Sequence, residues 1–472
     1  MSAPPESCAL AVIGAGPAGL AAAIEAARRG VDTVLLDEQP APGGQIYRSI
    51  TETPVRERAV LGADYWRGAA LVEAFGTSGA RHVPGAAVWS VAASGEIGLS
   101  IDGAARLLSA QRVILATGAL ERPMPIAGWT LPGVMTVGAV QILLKASGLV
   151  AERPIVLAGN GPLLWRFAAQ HLAAGGIIAA LLDTTPRGAW RAALAHLPGF
   201  LSSPYGGKGL ALMAAVRSRV RVITHVTALA AAGSDRVSEV VYRRDAGPEQ
   251  RLACDLLLLH QGVVPNLNLA LAAGCRPVWD AAHLCFRPAV DAWGASDGAR
   301  IAIAGDGAGI AGAEAAALRG ALAGLDAAYR LGRITRAARD GDASVLRAKL
   351  APWMRGRALL DCLQRPAPAF RLPEGDTLVC RCESVSARQV REAVALGVPG
   401  PNQLKAFLRC GMGPCQGRLC GLTVSELIAD ARGVSPAAIG YYRLRPPVKP
   451  ITLAELASLP KTAAAVRAVA RD

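Results

Sequence analysis

Apolar and polar positions fall into a strand–turn–helix–strand rhythm near the start of the chain. In "CALAVIGAGPAGLAAAIEAARRGVDTVLLDEQ", residues 9–13 form an apolar run and residues 17–29 carry a small, mostly apolar helical pattern. Residues 31–36 form a second run that ends at Asp37. This pattern predicts two parallel strands joined by a helix. Between the first strand and the helix, Gly14, Gly16 and Gly19 make G-x-G-x-x-G, with Pro17 and Ala18 opening the helix. The first glycine permits a tight turn, the second lets backbone approach a pyrophosphate, and the third lets helix pack on strand. The helix N-terminus then offers amide donors to phosphate. Asp37, followed by Glu38, is placed to accept a ribose hydroxyl. Strand, turn, helix, strand and acid in register predict a bound dinucleotide.

The rhythm recurs at 153–185, where Gly159 and Gly161 are kept, the third glycine position holds Leu164, and Asp183 ends the second strand. An acid there favours a free 2′-hydroxyl. These residues leave open whether the second unit holds NAD, another nucleotide or none. Three further segments complete the pattern. "PGGQIYR" carries Gly44 and Gln45; one strand ends in Ala116-Thr117-Gly118; another ends in Gly305-Asp306, with a helix expected from about residue 310. "LLLLHQGVVPN" (256–266) reads as a crossing between domains, and its His260 reads as structure more readily than as a catalyst.

Over roughly residues 8–335 this set resembles the two-dinucleotide-domain flavoproteins of the glutathione-reductase type. The resemblance implies an α/β fold with FAD on the first glycine turn. It also implies that Gly305-Asp306 meets the ribityl and pyrophosphate region. The expected domains are a discontinuous FAD-binding domain (1–150 and 271–335), an inserted NAD-type domain (151–270) and a linker (336–376). No C-x-x-C follows the first domain, so the redox-active disulfide of that family is missing. Cys8, Cys254, Cys275, Cys285 and Cys362 are scattered and read as ordinary buried thiols.

Half of the ten cysteines lie between 380 and 420, in "LVCRCESV" and "RCGMGPCQGRLCG". No charged n-region or cleavage site opens the chain, and no apolar run reaches the roughly 18 residues of a membrane span. A cytoplasmic protein, or one peripheral to the inner membrane, is expected, and there clustered thiols serve metals more often than disulfides. Cys380, Cys382, Cys410 and Cys415 form a C-x-C…C-x₄-C set complete for a [2Fe–2S] cluster. Zinc stays open, although its knuckles usually space cysteines more widely than C-x-C. Ser386 is expected to cap a helix, and another helix is expected after Pro414, which would lower the pKa of thiols at its start. The segment 377–435 resembles the small bacterioferritin-associated-ferredoxin-type [2Fe–2S] domain, which leaves 436–472 as a C-terminal tail. Cys420 is a fifth thiol, expected to substitute if Cys415 is not a ligand.

Composition narrows the partners. Aromatics are 4% of 472 residues, too few for the stacking platforms of single-stranded nucleic-acid binders. Net charge is +14, and residues 351–472 hold 17 basic and 9 acidic side chains, over half the excess. Such a surface suits an acidic partner subunit or anionic lipid, or is simply solvated. A flavin joined to a cluster converts paired electrons into single ones. The phrases "DEQPAPGGQIYR", "GWTLPGVMTVGA" and "NQLKAFLRCGMGPCQGR" resemble the alpha subunits of heteromeric amine and imino-acid dehydrogenases. These act on opines or D-hydroxyproline, with the sarcosine oxidase alpha subunit more distant. That resemblance implies a beta subunit of the D-amino-acid-oxidase type that oxidises a C–N bond on its own FAD. It also implies FMN at a subunit interface in some relatives, a small gamma subunit in others, and an acceptor such as a quinone. Three other readings remain open: a self-sufficient NADH-dependent reductase, a non-catalytic zinc-containing assembly subunit, and a hydrogen cyanide synthase B-type subunit.

Overall fold

The structure, a computed structural model, describes residues 5–298 and 300–460. Its first layer is a seven-stranded sheet. Strand Ser7–Ile13 lies at the centre, parallel to Thr33–Asp37 on one side and to Ala104–Leu115 on the other. Ile301–Ile303 returns from far along the chain to pair with Val113–Leu115. One sheet therefore joins the two sequence segments expected to hold FAD. Helix Pro17–Ala27 covers one face, and helix Ala313–Arg330 packs against it. Gly320 and Gly324 make that approach possible, since a Cβ on either would lie 2.0 and 2.4 Å from the carbonyl oxygens of Ala18 and Ala22.

The inserted unit is a five-stranded parallel sheet. Its order runs Val222–Ile223, Ile178–Asp183, Ile155–Asn160, Leu257–Gln261, Val134–Thr136. The strand Val134–Thr136 and the helix Val137–Ser147 after it thus begin this unit upstream of residue 151. The reason is pairing: Val134–Thr136 has its ladder with Leu257–Leu259 and none with the first sheet. Two short strands, Ala119–Glu121 and Val263–Pro265, run antiparallel where the chain crosses out and back.

Other boundaries shift for local reasons. The first helix stops at Ala27 because Arg28 and Arg29 turn into Gly30, which has φ +74°. A 3₁₀ turn at Gly305–Ala308 delays the next helix to Ala313. Residues 336–376 are largely helical: Arg336–Arg355 lies against Ala313–Arg330, and Arg357–Leu363 follows. The cysteine-rich unit packs three helices, Ala387–Ala395, Pro401–Leu408 and Gly421–Ala431, around their own apolar core. Ser386 caps the first of them in a full capping box with Gln389. The tail folds back: the Val448 amide donates to the Trp89 carbonyl, and Lys449 pairs with Glu38. The tail beyond residue 460 lies outside the described residues. Among those described, no helix is long and apolar enough to cross a membrane.

Candidate functional site

Around the first glycine turn, backbone replaces side chains. A Cβ on Gly19 would sit 1.8 Å from the Gly14 carbonyl oxygen, and one on Gly44 would sit 2.7 Å from the Gly16 Cα. The turn and the Gly43–Gly44 loop are therefore pressed together, and the Gly43 amide donates to the Ala15 carbonyl. Pro17 takes the first helical position, where its missing N–H is no loss. Ala18 is buried, with its Cβ against Gly305. The Asp37 carboxylate accepts from the Ala15 amide at 2.5 Å and the Gln39 amide at 2.7 Å. It fixes the turn, and each oxygen keeps a lone pair for a further donor. Asp306 does similar work, accepting from the Ala311 and Gly312 amides ahead of the long helix.

Ala116, Thr117 and Gly118 end the strand Ala104–Leu115, and the Gly118 carbonyl accepts from the Asn266 amide at 3.0 Å. Gln45 contributes its carbonyl to a buried lysine. Lys145 donates to the Gln45 and Ile46 carbonyls and to Gln141 Oε1 at 3.0–3.2 Å, and no carboxylate pairs with it among the described residues. Burial pushes its pKa down to about 7.

At the second glycine turn, Gly159 and Gly161 both have positive φ. A Cβ on Gly159 would lie 1.7 Å from the His260 carbonyl oxygen, so the strand Leu257–Gln261 sits directly against the turn. His260 Nδ1 meets Glu121 Oε1 at 2.6 Å, and Glu121 Oε2 accepts from the Gly138 amide. His260 is thus tied through Nδ1 to Glu121 where the chain crosses, with its Nε2 edge towards Gly161. Asn160 is 1% exposed, yet neither polar atom of its side chain has a partner.

The five cysteines separate into two groups. Cys380, Cys410 and Cys420 are buried, and their Sγ atoms lie within 4.8 Å of one another. Exposed Cys382 instead meets the thiol and the amide of Cys415. Thiols of Cys410 and Cys420, with the Gly411 and Glu383 amides, hold Cys380 well below the usual thiol pKa, which favours thiolate. The expected helix after Pro414 begins at Gly421, because turns at 411–420 wrap the thiols first. The helix-end position therefore falls to Cys420, not Cys415. Cys420 also stands with Cys380 and Cys410, so the thiols it neighbours are not Cys415's. Gly413 is needed for the fold of this loop, since its Cβ would lie 2.3 Å from that of Cys382.

Sequence reasoning missed Tyr442, whose buried hydroxyl lies beside Cys410 and Cys420 and has no hydrogen-bond partner of good geometry. It stands 22 residues beyond Cys420, and the only sequence signal is the pair Gly411 and Gly417, which clear space for its ring. Asn268 was missed as well. Its Nδ2 donates to the Gln416 carbonyl at 2.8 Å, tying the cysteine loop to the flavin-domain segment that holds Asn266. Trp129 Nε1 donates to the Leu378 carbonyl, and buried Glu426 pairs with Arg371. Soft sulfur donors gathered within 4.8 Å and an unpaired hydroxyl beside them fit an iron–sulfur cluster. The pressed glycine turn, free of side chains, fits a dinucleotide.

Comparison with known proteins agrees. Residues 9–321 match the family described as pyridine nucleotide-disulphide oxidoreductase, and residues 378–430 match the BFD-like [2Fe-2S] binding domain. The A subunit of opine oxidase from Rhizobium meliloti is 48% identical over 467 residues, 97% of this chain and 89% of that one. Hydrogen cyanide synthase subunit HcnB of Pseudomonas protegens is 32% identical, over 93% of this chain and 95% of its own. Among solved structures, L-proline dehydrogenase from P. horikoshii superposes with a TM-score of 0.71 at 18% identity, covering 95% of this chain and 79% of that one. That likeness is one of fold. FAD and a [2Fe–2S] cluster are the cofactors of this chain, and it is a flavin and iron–sulfur oxidoreductase. The chain belongs to the family of opine oxidase A subunits, a pyridine nucleotide-disulphide oxidoreductase fold that carries a BFD-like [2Fe-2S] domain.

Proposed function

We propose that this chain is the electron-transfer subunit of a heteromeric dehydrogenase that oxidises the C–N bond of an opine, D-hydroxyproline or related secondary amine. The bond is broken on a partner beta subunit of the D-amino-acid-oxidase type. FAD rests on Gly14, Gly16 and Gly19, with Gly44, Gly118 and Asp306 around it. Cys380, Cys382, Cys410 and Cys415 hold the cluster. Bound here, the two groups supply paired-electron and single-electron chemistry respectively.

The observation that carries this reading is the Asn268–Gln416 bond. Gln416 follows Cys415, and Asn268 is two residues from Asn266, whose amide bonds to Gly118. The Asn268 side chain and the Asn266 backbone amide thus link the cysteine loop to the strand end at Gly118. Val264, Leu267, Phe286 and Leu422 pack into an apolar seam beside the same contact. A partner is supported by an uncovered stripe. Trp190, Leu194, Leu197 and Leu201 recur at helical spacing and are 36–62% exposed. The test is reduction of the cluster, followed by EPR, after adding an opine to this chain with and without its beta subunit. Signal only with the partner is expected; signal from this chain alone would refute the division of labour.

A second reading has its own observation. Asn160, unpaired at the second glycine turn, favours a nucleotide there, and with NADH the chain would act as a self-sufficient reductase. Bleaching of the isolated chain by NADH would select it.

A further inference from the structure

Tyr442 lies outside the cysteine motif and is packed against it on several sides. It is 2% exposed. A Cβ on Gly411 would lie 2.6 Å from its Cζ, and one on Gly417 would lie 2.8 Å from its Cδ2. Tyr441 meets the ring edge-on at 5.9 Å between centroids, and Lys405 Nζ stands 4.7 Å from the ring centre. The ring cannot turn away, so the hydroxyl faces the sulfurs of Cys410 and Cys420. Nothing in the protein accepts its proton with good geometry. A buried hydroxyl left unpaired is destabilising, and one aimed at a group of metal-binding thiols implies an acceptor there. Neutral thiols are weak acceptors, whereas iron-bound thiolates and sulfides carry negative charge and accept strongly.

We propose that the Tyr442 hydroxyl donates a hydrogen bond to a sulfur on the buried side of the [2Fe–2S] cluster and raises its reduction potential; this rests on the cluster reading. Tyr442 is a positioning residue: it ligates nothing. Reduction adds negative charge to the sulfurs, so a donor there stabilises the reduced state more than the oxidised one. The same donor serves whether Cys410 or Cys420 is the ligand beside it.

The test is an EPR-monitored redox titration of the full chain as purified, wild type against Tyr442→Phe, with iron and acid-labile sulfide counted in each. Loss of one charge-assisted bond is worth about tenfold in the reduction equilibrium, which for a one-electron couple is about 59 mV towards negative potential. A full cluster with an unmoved midpoint overturns the proposal alone. A wild-type protein without iron and sulfide overturns the cluster reading with it. Should the Phe variant lose its cluster, protein made with 3-fluorotyrosine keeps the shape with a stronger donor. Its midpoint moves positive if Tyr442 donates, and an unmoved midpoint overturns the proposal.

Discussion

Asn268 offers the sharpest perturbation of the contact between the two cofactor-bearing units. It is 3% exposed and gives its amide proton to the Gln416 carbonyl at 2.8 Å. Asn268→Leu keeps the volume and removes the donor, leaving that carbonyl unpaired at a cost of about 1–3 kcal/mol. At about 1.4 kcal/mol per tenfold, the docked arrangement loses between about fivefold and about a hundredfold in population. Asn268→Asp is expected to be worse, because it sets a carboxylate against a carbonyl in a buried seam. Stopped-flow reduction, read at flavin and cluster wavelengths, separates the two steps. Flavin reduction should be unchanged and cluster reduction slowed in the order wild type, Leu, Asp. Hydrogen exchange of residues 411–420 should rise in the same order. Wild-type cluster reduction and unchanged protection in both variants would refute the inter-unit route.

Three further outcomes follow from the same geometry. Cys415→Ser should lose most of the cluster, because Cys415 meets Cys382 in the proposed ligand set. Cys420→Ser should keep its iron with altered EPR g-values, because Cys420 lies against Cys380 and Cys410 without being a ligand in that set; iron analysis decides. His283 lies 2.9 Å from Asp280 and 3.2 Å from Asp361, with Arg287 and Arg357 on the same acids, and the hydrogen bonds its ring donates to these carboxylates raise its pKa to about 9. A raised folded pKa gives stability that is complete below about 6.5 and lost as pH climbs through 9, at most about 3 kcal/mol before discounting for partial exposure. Thermal melts of His283→Gln should therefore converge on wild type above pH 9, and parallel curves would count against this linkage. Leu194→Glu with Leu201→Glu removes about 3–5 kcal/mol of apolar burial if the partner covers that stripe, so beta-subunit binding should fall at least a hundredfold while flavin and iron content stay the same.

Much of the fold is written locally. The first and second glycine turns, the Ser386 cap and the charged helix at 336 are each set by residues within a few positions of one another. What local pattern leaves out is pairing. Val134–Thr136 reads as part of the first unit until Leu257–Leu259 claims it, more than a hundred residues later. How the thiols group is likewise set by tertiary turns: spacing takes Cys415 as the ligand with Cys420 as its substitute, and the turns at 411–420 set Cys420 beside Cys380 and Cys410 and Cys415 beside Cys382. Asp37 is correctly placed at the strand end, although spacing does not reveal that backbone amides already hold it. Tyr442 and Asn268 reach the site only through tertiary contact.

The central claim is that electrons reach this chain from a separate oxidising subunit. The most direct measurement is affinity purification from the native host, mass spectrometry of every stoichiometric chain, and EPR of the complex after adding opine. The account predicts a flavoprotein partner of amine-oxidising type and a reduced [2Fe–2S] signal that appears only while the partner is bound. A chain that elutes alone at every salt concentration and reduces its own cluster with NADH would contradict it.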